Sequence, residues 1–279
     1  MSPRAINAGR GHRSTPGTVK NVTVRTAGPL RTLTVSTLHG SIASNRIQLG
    51  EVGMDPMEML ALATIVFLVT HSVSSTPLRS GLVALLGENA YLGLYTLVSL
   101  LTLGWMIWAY VEAPYERLWV GDEFKAWAVA LMPVSLVLIA SGALTRNPSA
   151  VRQESALRTM GEPRGILRVT RHPILWGIAL WAAVHLISRG DTASLIFFGG
   201  FLLLAASGTV LQDRRKDRMI GVDWQRFAVT TSNFPFAAII QGRNQFRFDE
   251  IGWGKVLAGL ALYFVLAFLH PYLFGARPY

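Results

Sequence analysis

Residues 192–212 read TASLIFFGGFLLLAASGTVLQ, a run without one charged side chain. A helix needs about 20 mostly apolar residues to cross a bilayer, and this stretch has that length and composition. Comparable runs lie on both sides of it: Met59–Leu78, Ala90–Val111, Ala126–Leu144 and Val256–Ala276. A shorter one, His172–Ser188, has only His172 and His185 as ionisable groups. Charged residues make up 15% of the chain, against about 25% in soluble domains. Mean hydropathy is +0.37. The pattern predicts an all-α integral membrane bundle of about six transmembrane helices. Pro133 falls inside the third run, where a proline kinks a helix.

Charge sets the orientation. Residues 145–171 carry six arginines against Glu154 and Glu162, and residues 213–255 carry eight basic side chains. The loop 112–125 carries Arg117 and Lys125 against Glu112, Glu116, Asp122 and Glu123. Lys/Arg excess marks the cytoplasmic side, so the first, third and fifth loops are predicted there and both termini outside. The run Asp213-Arg214-Arg215-Lys216-Asp217-Arg218 reads as a solvated loop facing anionic lipid. Behind it, Asp223–Ile239 is too short to span and reads as a cytoplasmic amphipathic or re-entrant segment.

The net charge of +10 comes mostly from residues 1–50, which hold seven basic residues and no acid. The asymmetry argues against nucleic acid as the partner. Residues 1–53 read as a disordered basic tail, a transit segment, or sequence upstream of a natural start at Met54. The third reading is preferred, because a basic tail conflicts with an external N-terminus. Residues 54–279 form the transmembrane domain. The absence of Cys excludes disulfides, thiolate metal sites and thiol catalysis.

Six histidines remain for chemistry. His12 and His39 lie in the tail, whereas His71, His172, His185 and His270 lie within or at the ends of spans. An ionisable group inside a membrane is costly and points to function, although a hydrogen-bonded helix-end histidine is the plainer reading of each. Imidazole also suits haem iron. Pro173 starts a helix well, so Arg171 and His172 stand beside a helix N-terminus able to hold an anion.

Particular motifs carry a resemblance. They are His71-Ser72, Gly87-Glu88-Asn89-Ala90-Tyr91, and Arg168-Val169-Thr170-Arg171-His172-Pro173 with Gly177, Trp181 and His185. Asp213-Arg214-Arg215, Phe234-Pro235-Phe236-Ala237-Ala238-Ile239, Gly242-Arg243 and His270-Pro271 follow in order. From Met59 to Gly275 the chain resembles the NnrU family of bacterial membrane proteins and is similar to the 15-cis-ζ-carotene isomerases. The resemblance implies a bacterial inner-membrane protein with haem b between two axial histidines, His71 and His185. These two would be both metal ligands and catalytic residues, with Arg171 and His172 lining the cofactor. It also implies haem-dependent cis–trans isomerisation of a polyene within membrane lipid. In those relatives a Cys three residues before the second His exchanges as an iron ligand; here that position is Ala182.

Depth raises a difficulty. His185 lies about 20 Å beyond the cytoplasmic start of its helix at ~1.5 Å per residue, whereas His71 belongs to the cytoplasmic half. His172 is therefore the alternative partner for His71. Phe67, Trp176, Trp181, Phe197 and Phe198 are available to line a polyene pocket. Two other functions remain open: a haem protein of nitric-oxide or nitrite metabolism with NO as ligand, and a membrane methyltransferase. Arg171-His172-Pro173 with Gly177 resembles the isoprenylcysteine type, although Asp213–Arg218 is more basic than that type requires.

Overall fold

The computed structural model describes residues 19–24, 31–36 and 53–278. Two units separate at Gly53. The first holds an antiparallel strand pair, β1 (Val19–Val24) and β2 (Arg31–Ser36), in the register Val19↔Ser36. Both strands are rich in β-branched residues (VKNVTV, RTLTVS), a composition that suits pairing. His12 and His39 lie outside the described residues.

The second unit is all-helical. Its elements are α1 (Pro56–Ser72), α2 (Leu78–Leu86), α3 (Glu88–Glu112), α4 (Lys125–Ala143), α5 (Ala156–Thr159), α6 (Ile166–Val169), α7 (Pro173–Arg189), α8 (Thr192–Ile220), α9 (Val222–Thr230), α10 (Ala237–Ile240) and α11 (Trp253–Phe274). Five helical segments are long and apolar enough to cross a membrane: Pro56–Ser75, Glu88–Glu112, Asp122–Ala143, Thr192–Ile220 and Trp253–Phe274. The chain is thus an integral membrane helical bundle. The expected sixth span, α7, has 17 residues.

Local chemistry explains the boundaries. Asp55 caps α1 by accepting from the Met57 and Glu58 amides, with Pro56 at the first position. Asp191 caps α8 through the Ser194 amide at 2.8 Å. Gly190, at φ +67°, closes α7 in the left-handed region, where glycine carries no Cβ penalty. The basic run at 213–218 does not form the expected loop. It continues α8 to Ile220, because Lys216 is drawn inward to Glu154 Oε1 (2.6 Å) and the Ala150 carbonyl (2.8 Å).

Helix packing forms two groups around α7 and α8. On one side α1 and α3 meet α8 through Leu60, Ala63, Phe67, Met106 and Ala109. On the other, α4 packs between α7 and α11. Small residues permit the close approaches. A Cβ on Gly177 would stand 2.8 Å from the Ser135 carbonyl oxygen, and one on Gly259 would stand 2.5 Å from Val137 Cα. The amphipathic segment α9 tucks Trp224 and Phe227 against Ile166, Leu167 and Val169.

Candidate functional site

Two sites carry the chemistry-bearing residues. The first lies at the charged end. Arg171 donates from Nε and Nη2 to Asp213 Oδ1 and Oδ2, at 2.8 and 2.6 Å. His172 Nε2 is 2.6 Å from the same Oδ1, and Asn233 Nδ2 donates to Oδ2 at 2.9 Å. Asn147 Nδ2 donates to the Arg171 carbonyl at 3.0 Å. The anion at the α7 N-terminus is therefore the protein's own Asp213 carboxylate. The cluster ties α7, α8 and the α9–α10 connection together. Bidentate guanidinium–carboxylate pairing gives it strength and a defined geometry.

Next to it, Arg168 grips Glu250 through Nε (2.7 Å) and Nη2 (3.2 Å), and Gly165 N–H adds a bond of 3.1 Å to the same carboxylate. The hydrogen bond from Arg168 holds the Glu250 carboxyl below its usual range, and the same bond raises the guanidinium. This clamp fixes α6 to the segment entering α11.

The second site lies within the helices. His71 Nδ1 is 2.9 Å from the Phe67 carbonyl, and His185 Nδ1 is 2.8 Å from the Trp181 carbonyl. Each bond assigns the Nδ1–H tautomer and leaves Nε2 without a hydrogen-bond partner among the described residues. An imidazole that binds metal through one nitrogen usually donates its other N–H in this way. The donor chemistry of both residues fits an iron ligand. His172 differs, because Asp213 engages its Nε2.

His71 and His185 have different surroundings. His71 packs against Phe67 and Tyr95, with ring centroids 4.0 and 5.9 Å away. His185 stacks on Phe198 at 5.0 Å and meets Trp181 at 5.1 Å. Between them runs a wall of rings: Phe67–Phe201 at 5.3 Å and Phe201–Trp181 at 5.3 Å. The depths differ as well. A Cβ on Gly200 of α8 would stand 2.7 Å from Thr64, and one on the adjacent Gly199 would stand 3.7 Å from Leu186. Thr64 and Leu186 thus share a level, and His71 lies seven residues past Thr64, about 10 Å at ~1.5 Å per residue. Phe67, Phe201 and Trp181 join the two imidazoles by successive ring contacts.

Phe67, Trp181, Phe197 and Phe198 belong to this one aromatic cluster, joined by Phe201 and Tyr110. Trp176 stands apart, donating to the Asn233 carbonyl at 2.8 Å beside Phe234. Ala182 is fully buried in the same core. His185 also lines a cavity of about 350 Å³ between α4, α7 and α11, together with His270. The sequence names both residues, but their convergence depends on α4 and could not be read from spacing. Among the described residues no group of three or more His, Asp or Glu side chains could hold a metal ion.

A polytopic helical membrane protein with imidazoles on an interhelical cavity is the class that the fold and site define. The chain belongs to the NnrU family, whose model, "NnrU protein", matches residues 59–278. It is 34% identical over 115 residues to a chloroplastic 15-cis-zeta-carotene isomerase of Arabidopsis thaliana, covering 40% of this chain and 31% of that protein. It is 27% identical over 194 residues to the chloroplastic 15-cis-zeta-carotene isomerase of Zea mays, covering 67% and 52%. The matched chain spans between about a third and about half the length of these relatives. No solved structure matches.

Proposed function

We propose that this protein is an intramembrane cis–trans isomerase of a linear polyene of the ζ-carotene kind, with haem b as its cofactor. In this reading the host membrane is the bacterial inner membrane. The observation that carries it is His185, which lines a cavity between three helices with Nε2 unengaged. The similarity to two isomerases across much of the same domain supports the substrate class. A carotene has no polar handle, so it can enter only through lipid and be held only by aliphatic and aromatic surface. Val129, Met132, Leu136 and Leu266 supply such surface. Bound haem iron supplies an electron-accepting centre that lowers the rotation barrier of a conjugated double bond. The protein's part is to orient the His185 imidazole through the Trp181 carbonyl, to present an apolar channel and to exclude water.

Bacteria that accumulate 15-cis-ζ-carotene provide the test. Co-expression of this chain converts the 15-cis isomer to its 15-trans form in darkness, read by chromatography. His185→Ala expressed to the same level does not convert it. Full-length protein in the membrane without conversion above the empty-vector level overturns the assignment.

A further inference from the structure

The lipid-facing basic surface that the sequence places at 213–218 has a counterpart elsewhere in the fold. Lys216 is turned inward to Glu154, and Asp213 is held by Arg171 and His172. Four other arginines, Arg164, Arg168, Arg243 and Arg247, line a cleft of about 540 Å³ together with Glu162 and Glu250. Four cations against two carboxylates leave the lining with a net charge of +2.

Two of the four arginines build the cleft. Arg168 donates to Glu250 and to Asn244 Oδ1, each at 2.7 Å. Arg243 donates from Nη1 to the Val229 and Thr231 carbonyls and from Nε to Gln241. With the bond from Asn244 Nδ2 to the Thr230 carbonyl, 3.0 Å, these contacts fasten residues 241–250 to α6 and α9. The other two are available to a ligand. Arg164 is exposed and has no ion pair among the described residues. Arg247 reaches only Glu250, at 3.7 Å, and that carboxylate already takes Arg168. A guanidinium presents a planar fork of N–H groups that matches phosphate.

The same segment indicates where the phosphate comes from. Phe246 and Phe248 flank Arg247, and their rings belong to a ladder: Phe236–Phe246 at 6.0 Å, Phe246–Phe248 at 6.4 Å and Phe248–Trp253 at 5.2 Å. All four side chains are exposed. Adjoining exposed apolar groups rimmed by polar ones mark an interaction surface. Trp253 is the first residue of α11, which is long and apolar enough to cross a membrane, so the ladder starts at the membrane–water boundary. Aromatic side chains concentrate there. A free anion in water has no use for the rings, whereas a phosphate carried on a lipid brings cation and ring contacts together.

We infer that this cleft binds the phosphate-bearing headgroup of an anionic phospholipid, with Arg164 and Arg247 on the phosphate and the ladder from Phe236 to Trp253 in the headgroup layer. The site shares no residue with the cavity between α4, α7 and α11. The experiment is native mass spectrometry of the full chain in detergent, titrated with phosphatidylglycerol or phosphatidylcholine. The wild type prefers phosphatidylglycerol by roughly ten- to thirty-fold, as two arginines at a membrane surface supply. Arg164→Gln with Arg247→Gln loses the preference. Arg214→Gln with Arg218→Gln, which removes the same charge from exposed arginines outside the cleft, keeps it. Elution of both pairs at the wild-type position in size exclusion establishes that they are folded, and Arg247→Gln alone loses part of the preference should the cleft pair aggregate. Equal binding of the two lipids by the wild type, or a preference that survives in the cleft variants or falls equally in the control pair, overturns the site. Displacement of the lipid by inorganic phosphate overturns the lipid as its occupant.

Discussion

Gly177→Ala and Gly259→Ala test whether α4 is the wedge that spaces α7 from α11. A Cβ at residue 177 would stand 2.6 Å from Ile139 Cγ1 and 2.8 Å from the Ser135 carbonyl oxygen. At residue 259 it would stand 2.5 Å from Val137 Cα and 2.9 Å from Val137 N. Ordinary contact begins near 3.4 Å, and the obstacles include backbone, so each helix must back away by roughly 0.6–0.9 Å. A gap of about 0.5–1 Å forfeits a quarter to a half of the dispersion energy across an interface, and overpacking costs ~1–3 kcal/mol. At Gly177 the buried bond from Ser135 Oγ to the Gly177 carbonyl, 2.7 Å, is also stretched, adding ~0.5–1.5 kcal/mol. At about 2–4 °C per kcal/mol for a domain of this size, Gly177→Ala loses on the order of 10 °C and Gly259→Ala somewhat less. Fluorescence-detected size exclusion after heating in detergent reads the loss. Gly104→Ala is the control, because nothing lies within 4 Å of its added Cβ. Equal melting of all three variants and the wild type would refute the wedge.

The same melt checks Asp213→Asn. It leaves the Arg171 guanidinium without its carboxylate, and breaking a buried pair costs ~3–5 kcal/mol, a drop of roughly 6–20 °C. A change under about 2 °C would mean that the cluster contributes little to stability. Gly190→Ala puts a Cβ 2.5 Å from the Trp119 carbonyl at φ +67°, so a loss of several degrees is expected, and Gly190→Asn, which tolerates that φ better, is less affected in backbone strain but not in the clash. The Glu250 carboxyl is held below its unfolded value, about 4.3, chiefly by Arg168. Its contribution is complete above that value and is lost as pH falls through the lower folded value. Stability measured from pH 6 to pH 3 therefore falls less steeply in Glu250→Gln than in the wild type. Parallel curves would show that the clamp does not couple protonation to folding.

Apolar run length made the bundle legible, and Pro173 marked a helix start that the structure keeps. The end of α8 was not legible. A string of arginines and a lysine looks like solvated loop until Glu154, some sixty residues away, takes Lys216. The amphipathic segment was legible from its length, but its anchor on Ile166 and Val169 is tertiary. At the site, residue type singled out the histidines and motif order singled out His71 and His185. Which histidines share a cavity depends on helix rotation and on the level at which glycines let helices cross. Neither property is carried by one segment alone, and so the shared cavity of His185 and His270 is visible only in the packing around α4.

The short helix α7 shows why the imidazole sits where it does. It packs on α4 through Gly177 and on α8 through Ala182, which is fully buried in the aromatic core. α11, by contrast, buries only 6% of its apolar window and faces outward along most of its length. A polar group on such a lipid-facing surface is costly, whereas one on a helix enclosed by protein can be satisfied by its neighbours. α7, with 17 residues, is the more enclosed of the two. Ala182 and His185 are three residues apart on it: Ala182 is buried in the aromatic core, and His185 both stacks on Phe198 of that core and lines the α4–α11 cavity. A sulfur at residue 182 would enter a core with no exposed surface. The Gly177 contact that locks α7 to α4 fixes the rotation of the helix and so holds both residues in these positions.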